Sequence, residues 1–153
     1  MTKVLGIDVG AGGALALVSD GALTAVEDMP VIKIGSRSEI SEGHLAQLVR
    51  AMAPDVAWIE RVSARPKQGI ASAFNFGTNY GIPRGVCAAL GVPILFVSPV
   101  SWKREFKLSA DKHQARLLAS RMFPTHADKF SRVRDDGRAE AALIAVFGGR
   151  YPL

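Results

Sequence analysis

The sequence predicts an α/β fold built on one mixed five-stranded sheet, a three-strand antiparallel meander plus parallel strands, flanked by helices. Three observations carry this. Short apolar runs recur between residues 4 and 26, separated only by Gly- and Asp-containing turns, as in a meander of hairpins. From residue 41 onward, segments with helical spacing alternate with two further apolar runs, the pattern of parallel strands joined through helices. The length of 153 residues, 48% of them hydrophobic, suits one domain with its own core, so residues 1–153 are read as a single unit.

In chain order, Val4-Leu5-Gly6-Ile7-Asp8-Val9 reads as a buried strand, Gly10 to Gly13 as a turn, and Ala14 to Val18 as the second strand. Ser19-Asp20-Gly21 marks the next turn, and Leu23 to Val26 the third strand. Met29 to Ser38 contains Pro and Gly and is read as a loop. Leu45, Leu48, Val49 and Met52 then fall at helical spacing within Ser41 to Met52. Val56 to Ile59 is a short apolar strand that runs out at Glu60. Ile70 to Leu90 reads as a long helix in which Gly77, Gly81 and Gly85 recur every fourth residue and Pro83 predicts a kink. Val92 to Val97 is the last strand, ended by Ser98-Pro99. Ala110 to Met122 follows as a basic amphipathic helix, Phe123 to Arg134 as a polar loop, and Asp136 to Phe147 as the closing helix.

The formal charge is +5, and it is unevenly spread. Residues 1–60 carry four Lys/Arg against eight Asp/Glu, residues 61–84 carry Arg61, Arg65, Lys67 and Arg84 with no acid, and residues 98–134 carry nine basic residues against three acidic ones. A basic surface around a small acidic pocket suits a metal-using enzyme with a polyanionic substrate. On charge alone, an ordinary solvated basic surface would look the same. No apolar run approaches the roughly 20 residues of a membrane-spanning helix, and MTKVLGIDVG passes straight into strand-like sequence without the marks of a signal peptide. Cys87, the single cysteine, sits in apolar GVCAAL, where a buried inert thiol is expected. The expectation is a cytoplasmic protein with no membrane association.

Two carboxylates stand out on strands. Asp8 lies in an otherwise apolar run, where an ionised side chain is costly unless compensated. Glu60 follows Trp58-Ile59, at the carboxyl end of a strand, where α/β proteins place their sites. Taken singly, each reads equally well as a satisfied ion pair or a strand-end charge. Asp136 and Glu140 are four residues apart, rotated by only about 40° and separated by a rise of about 6 Å on one helical face. Like charges at that spacing repel unless a cation lies between them. As solvated acids in a first helical turn, favoured by the dipole, Asp135 and Asp136 are well explained; Glu140, flanked by Ala139, Ala141 and Ala142, is less so. An all-oxygen ligand set suits Mg2+ or Mn2+ and argues against zinc. Two such ions about 4 Å apart would bracket a scissile phosphate.

These residues, in this order, resemble the RuvC-type Holliday junction resolvases, particularly their phage-encoded branch. Gly6-Ile7-Asp8-Val9-Gly10 with Gly13-Ala14-Leu15-Ala16 is similar to the family's first strand and turn. Trp58-Ile59-Glu60-Arg61-Val62 resembles its second acidic strand, and Phe76-Gly77 and Arg84-Gly85-Val86 the small-residue helix after it. Asp136-Gly137-Arg138-Ala139-Glu140-Ala141 resembles the closing helix with the last two acids. The resemblance spans essentially the whole chain. It implies an RNase H-like fold, two Mg2+ per active site (with Mn2+ substituting) held by Asp8, Glu60, Asp136 and Glu140, and paired nicks that resolve a four-way DNA junction. It further implies a homodimer through the Gly77/Gly81/Gly85 face; from the residues alone, packing of that face against the sheet is an equal reading. Lys103 and Lys112 match positions where the family places lysines near the DNA backbone, and Arg61, Arg65 and Lys67 complete the expected DNA-binding set. Trp102, between Ser101 and Lys103, either stacks on a base or packs beneath the loop, the commoner fate.

The chain also departs from the bacterial pattern. Its last two acids are four apart rather than three, which leaves Asp135 and Asp136 as rivals for the third ligand. Val62-Ser63-Ala64-Arg65 lacks the aromatic residue that bacterial members place soon after the second acid, so a relaxed branched-DNA nuclease is the alternative within the family. Outside it, Gly6 to Gly10 followed by Gly12-Gly13-Ala14 also resembles the first phosphate loop of actin-like ATPases and sugar kinases. Nothing later in the chain supplies the second phosphate loop and adenosine motif that such enzymes need.

Overall fold

The computed structural model describes residues 2–151. Its main sheet has five strands in the order β3-β2-β1-β6-β7, from Ala22–Asp28 (β3), Ala14–Ser19 (β2), Lys3–Asp8 (β1), Val56–Glu60 (β6) and Ile94–Val97 (β7). The meander β1-β2-β3 is antiparallel, while β1 with β6 and β6 with β7 are parallel, as expected. Helices α1 (Glu42–Met52) and α2 (Ile70–Ala89) make the crossovers. The remaining helices are α3 (Pro99–Glu105), α4 (Lys112–Met122) and α5 (Asp136–Gly149).

Strand alternation divides the core in two. Leu5 and Ile7 of β1 and Ala57 and Ile59 of β6 pack with Leu45 and Val49 of α1 and Cys87 of α2. Val4, Val56 and Trp58 point the other way and pack with α4 and α5 through Ala115, Ala119, Leu143, Ile144 and Phe147. Asp8 and Glu60 share the parity of Val4 and Trp58, so both side chains emerge on the α5 face. Cys87 is fully buried, and its burial pushes the thiol pKa up to about 11, which leaves it inert.

Helix α5 lies directly on β1. A Cβ at Gly6 would meet the Ala141 carbonyl oxygen and sit 2.5 Å from the Ala145 nitrogen, so only glycine permits the approach. The helix answers with Ala139, Ala141, Ala142 and Ala145, all fully buried.

Three segments differ from the sequence expectation. Met29 to Ser38 is not a loop: Val31–Ile34 (β4) and Arg37–Ile40 (β5) form an antiparallel hairpin. Pro30 precedes it and Gly35 turns it with φ of +63°, so the residues read as loop punctuation bracket a strand pair. The hairpin is pinned to α2 by buried Asn79, whose Oδ1 accepts from the Ile40 amide at 2.9 Å. Pro99, read as a strand stop, also starts α3: Ser98 Oγ accepts from the Ser101 amide at 3.1 Å, and proline sits in the first turn, where its missing N–H is no loss. The polar stretch after Phe123 folds into two 3-10 segments, Pro124–Phe130 and Val133–Asp135, and buries Phe130. Helix α2 itself runs unbroken through Pro83.

Gly6→Ala should destabilise the protein by about 2–3 kcal/mol, as overpacking does when the backbone must move. Thermal unfolding checks this, and an unchanged midpoint would show that α5 is not held at backbone distance.

Candidate metal centre and nucleic-acid surface

Register places the first two acids side by side. Ile7 pairs with Ile59, and Asp8 and Glu60 follow one step later, at the carboxyl ends of adjacent parallel strands. Helix α5 adds Glu140 from above. One carboxylate oxygen from each of Asp8, Glu60 and Glu140 lies within 4.8 Å of the others. Glu60 and Glu140 are buried, and Glu60 Oε2 has no hydrogen-bond partner among the described residues.

Confinement raises all three carboxyl pKa values. Asp8 is pushed well above the usual range by burial first, then by Glu140 and Glu60. Burial followed by Glu140 raises Glu60, and burial raises Glu140. Lys103 of α3 and Lys112 of α4 act against this at all three acids, so both lysines face the cluster electrostatically. A buried all-oxygen set with a surplus of negative charge and an unsatisfied oxygen has the chemistry of a hard divalent-cation site.

The structure does not bring Asp136 into this group. The four-residue step turns the helix by about 40°, and the Asp136 carboxylate lies instead 3.1 Å from Arg116 Nε of α4. It still adds negative potential at Glu140. Position 137 faces the site more directly, since a Cβ there would lie 3.2 Å from Asp8 Oδ2, but glycine offers no ligand. Asp135, the rival third ligand, is a structural residue. It accepts from the Arg132 amide at 2.8 Å and from Arg132 Nη2 at 2.8 Å, capping the 3-10 turn Val133–Asp135 that leads into the last helix. Burial works to raise its pKa, but these Arg132 contacts hold it below the usual carboxylate range.

Of the expected cations, Lys103 and Lys112 act on the cluster. Among the described residues, none of Arg61, Arg65, Lys67, Lys103 and Lys112 has an acidic partner within ion-pair distance. Arg61 lies over the Phe96 ring at 4.1 Å, and Arg84 leans on the same ring at 5.3 Å. Arg65 and Lys67 line a cavity of about 420 Å³ with Ser63, Gln68, Ser72 and Phe76. A cavity of about 630 Å³ lies at the opposite, amino end of the parallel strands, beside Val4 and Val56, and takes no part in this site. Trp102 is fully buried, so it packs and does not stack on a base.

Sequence reasoning missed Arg116, visible only as one cation of a basic helix. The Ser98-Pro99 cap signal, read as a helix start, would have revealed α3 and the side of it that carries Trp102. The Gly77/Gly81/Gly85 face is not packed on the sheet, since a Cβ at any of the three meets nothing within 4 Å.

No family model matches the chain. A crossover junction endodeoxyribonuclease RuvC from Nitratidesulfovibrio vulgaris strain Hildenborough is 30% identical over 156 residues, covering 96% of this chain and 91% of that protein. Among solved structures, the T. thermophilus RuvC in complex with Holliday junction substrate superposes with a TM-score of 0.69 at 18% identity, covering 98% of this chain and 96% of that one. The fowlpox virus Holliday junction resolvase gives 0.63 at 13% identity, covering 99% and 100%. These two likenesses bear on the fold, which they share from end to end.

Because the acids have raised pKa values, the fold binds protons more tightly than the unfolded chain, and their contribution to stability falls as pH rises through the raised range. In EDTA, Asp8→Asn should therefore be more stable than the parent at pH 8, by about 1 kcal/mol or about 3 °C at this chain length. The gap should close only as pH falls below about 4, the ordinary carboxylate pKa of the unfolded chain, where Asp8 is protonated in both states. Thermal melts of both proteins across that range test it, and a gap independent of pH would contradict the assignment.

Proposed function

Since the chain belongs to the RuvC family of crossover junction endodeoxyribonucleases, we propose that it resolves four-way DNA junctions by metal-dependent phosphodiester hydrolysis at Asp8, Glu60 and Glu140. The observation that carries this reading is the trio of carboxylates within 4.8 Å at adjacent strand ends beneath α5. Two Mg2+ ions, with Mn2+ as substitute, fit the donor set. When bound, they supply Lewis-acid activation of water and charge stabilisation at the phosphate.

The chain's own residues do the rest. Asp8, at the end of β1 next to Glu60 on β6, would be the ligand shared between the ions, with Glu60 and Glu140 completing the set. Lys103 and Lys112 offset the negative potential of the acids and attract a phosphate to the mouth of the site. Asp136, expected as a fourth ligand, is placed to contribute from outside the trio while Arg116 holds it. Arg61, Arg65 and Lys67 extend the positive surface along the outgoing DNA backbone. The DNA substrate also supports a cytoplasmic place of action.

A homodimer through α2 completes the reading. Its outward face shows Ile70 at 91% and Phe74 at 72% exposure, in line with Gly77, Gly81 and Gly85. Small residues there allow a second helix to approach closely, and two active sites would give the paired nicks that a junction needs. The phosphate-loop ATPase alternative has no comparable support, because the same glycines here close the turn beneath Asp8.

Cleavage of a four-way junction, a plain duplex and an RNA–DNA hybrid, compared side by side with Mg2+, tests the activity. Junction cutting should dominate; equal cutting of the plain duplex would overturn the assignment. Asp8→Asn, Glu60→Gln and Glu140→Gln should each bind the junction yet lose at least about 10³-fold in cleavage, as removal of a key electrostatic group does. Asp136→Asn should lose only about 10-fold or less, because conservative loss of a group outside the ligand set has a smaller effect.

Gly81→Arg should yield a monomer in sedimentation velocity at micromolar concentration, without unfolding, since its side chain meets open space in the single chain. A persistent dimer would place the interface elsewhere.

A further inference from the structure

We propose that Arg104 and Lys107 line a phosphate-gripping cavity beside the metal centre, which holds the nucleotide next to the scissile phosphate on the strand being cut. The inference rests on the reading of the chain as a junction-cleaving nuclease and adds two residues that this reading does not use.

The cavity, of about 620 Å³, is walled mainly by Pro99, Val100, Lys103, Arg104, Lys107 and Leu108, and falls within the roughly 300–1,000 Å³ of ligand sites. Its place follows from the sheet. Val97, the last residue of β7, pairs with Glu60, so α3, which starts at Pro99, opens at the same end of the sheet as the acids. Val100, Lys103 and Arg104 share one face of α3 by their three- and four-residue spacing. Lys103 belongs both to this cavity and to the electrostatic surroundings of the acids. A strand held at the carboxylates therefore meets the cavity next.

Positive charge there is unopposed, because no acid lines the cavity. Residues 99–116 contain two acids, and both are engaged elsewhere: Glu105 Oε1 accepts from Arg150 Nη1 at 2.6 Å, and Asp111 Oδ1 accepts from the His113 amide at 3.0 Å. Arg104 and Lys107 are exposed and, among the described residues, have no ion-pair partner. Val100, 65% exposed, offers an apolar surface against which a deoxyribose can pack.

Lys107 also occupies a costly position. Helices α2 and α3 close with the same turn, in which the amide two residues past the helix cap bonds the carbonyl five residues back: Val92 to Cys87 at 2.9 Å, and Leu108 to Lys103 at 2.8 Å. The residue just past the cap must then be left-handed. After α2 it is Gly91, with φ of +72°; after α3 it is Lys107, with φ of +54°. Glycine takes this conformation freely, and lysine does not. Nor is the cation needed to finish the helix, since the carbonyls of Trp102, Lys103 and Arg104 already accept from the amides of Phe106, Leu108 and Lys107. A lysine kept where glycine would be more stable points to a ligand for its charge.

The test uses the full-length protein and a synthetic four-way junction in EDTA, so that binding is read without cleavage. Lys107→Gly and Arg104→Ala should each bind about 8-fold more weakly than the parent at about 0.1 M NaCl, with a slope of log affinity against log salt shallower by about 0.9, as one lost phosphate contact requires. Lys107→Gly should unfold at or above the midpoint of the parent, because glycine relieves the left-handed turn. A fall in both affinity and midpoint would make the lysine structural and overturn the proposal. Unchanged affinity and slope in both variants, with a parent that binds the junction, would overturn it as well. A neutral methylphosphonate at one of the two phosphates flanking the mapped cut should bring the parent and Lys107→Gly to the same affinity. A full difference with either phosphate neutralised would place the contact off the cut strand and overturn the assignment. A parent with no affinity for the junction would bring down the nuclease reading, and this proposal with it.

Discussion

Helix α5 rests on β1 at a distance that leaves no room for a side chain at Gly6, and the position of Glu140 depends on that contact. Glu140 reaches Asp8 and Glu60 only because Ala141 and Ala145 can lie against the strand backbone. Any larger residue at this seam would lift the helix and carry the third carboxylate away. The alanines at 139, 141, 142 and 145 weaken the helix as a packing surface one residue at a time, but together they let it sit flat on the sheet. Asp135 fixes the other end. Its contacts with Arg132 close the 3-10 turn that delivers the chain into the helix carrying Glu140.

The assembled carboxylates oppose the fold that assembles them. Burial makes all three harder to ionise, Glu140 and Glu60 add to this at Asp8, and Glu140 does so at Glu60. Lys103 and Lys112 relieve part of this repulsion without forming a direct ion pair, which leaves the carboxylate oxygens available. A close Lys–Glu pair would satisfy the acids and close the site. Lysines set at a distance, Lys103 in the last turn of α3 and Lys112 at the start of α4, reduce the penalty while keeping ligand positions open. The same cations face outward as part of a surface with no acidic partners, so a phosphate approaching the cluster meets positive potential before negative.

Much of this was legible in the chain. The meander, the parallel strands and the parity that puts Asp8 and Glu60 on one face follow from period-two patterning alone, and strand ends locate the pair. Glu140 was visible as an acid among alanines. The choice among Asp135, Asp136 and Glu140 was not, because a 40° difference in direction on one helix is decided by where the helix starts. That start follows the 3-10 turn that Arg132 closes, by a pairing no periodicity reports. The β4–β5 hairpin was hidden because Pro30 and Gly35 mark its borders as strongly as they would mark a loop. Its anchor, Asn79, lies thirty-nine residues away from the amide it binds. Trp102 was readable as buried, the commoner fate of a tryptophan beside a loop.

Gly137 explains why the ligand set takes this form. Its position faces Asp8 more directly than Asp136 does, and a side chain there would start 2.9 Å from the Gly12 carbonyl oxygen and 3.2 Å from Asp8 Oδ2. The turn from Gly10 to Gly13 folds back so tightly, with the Gly13 amide donating to the Gly10 carbonyl at 3.0 Å, that it leaves no space for an acid at 137. The helix therefore supplies its carboxylate one turn later, from residue 140, and glutamate has the extra methylene needed to span the added distance. Asp136, displaced to the flank, is neutralised by Arg116 rather than left to add a fourth charge to the cluster. Close packing of turn, strand and helix thus decides which acids can be ligands, and the arginines on α4 and before α5 take up those that cannot.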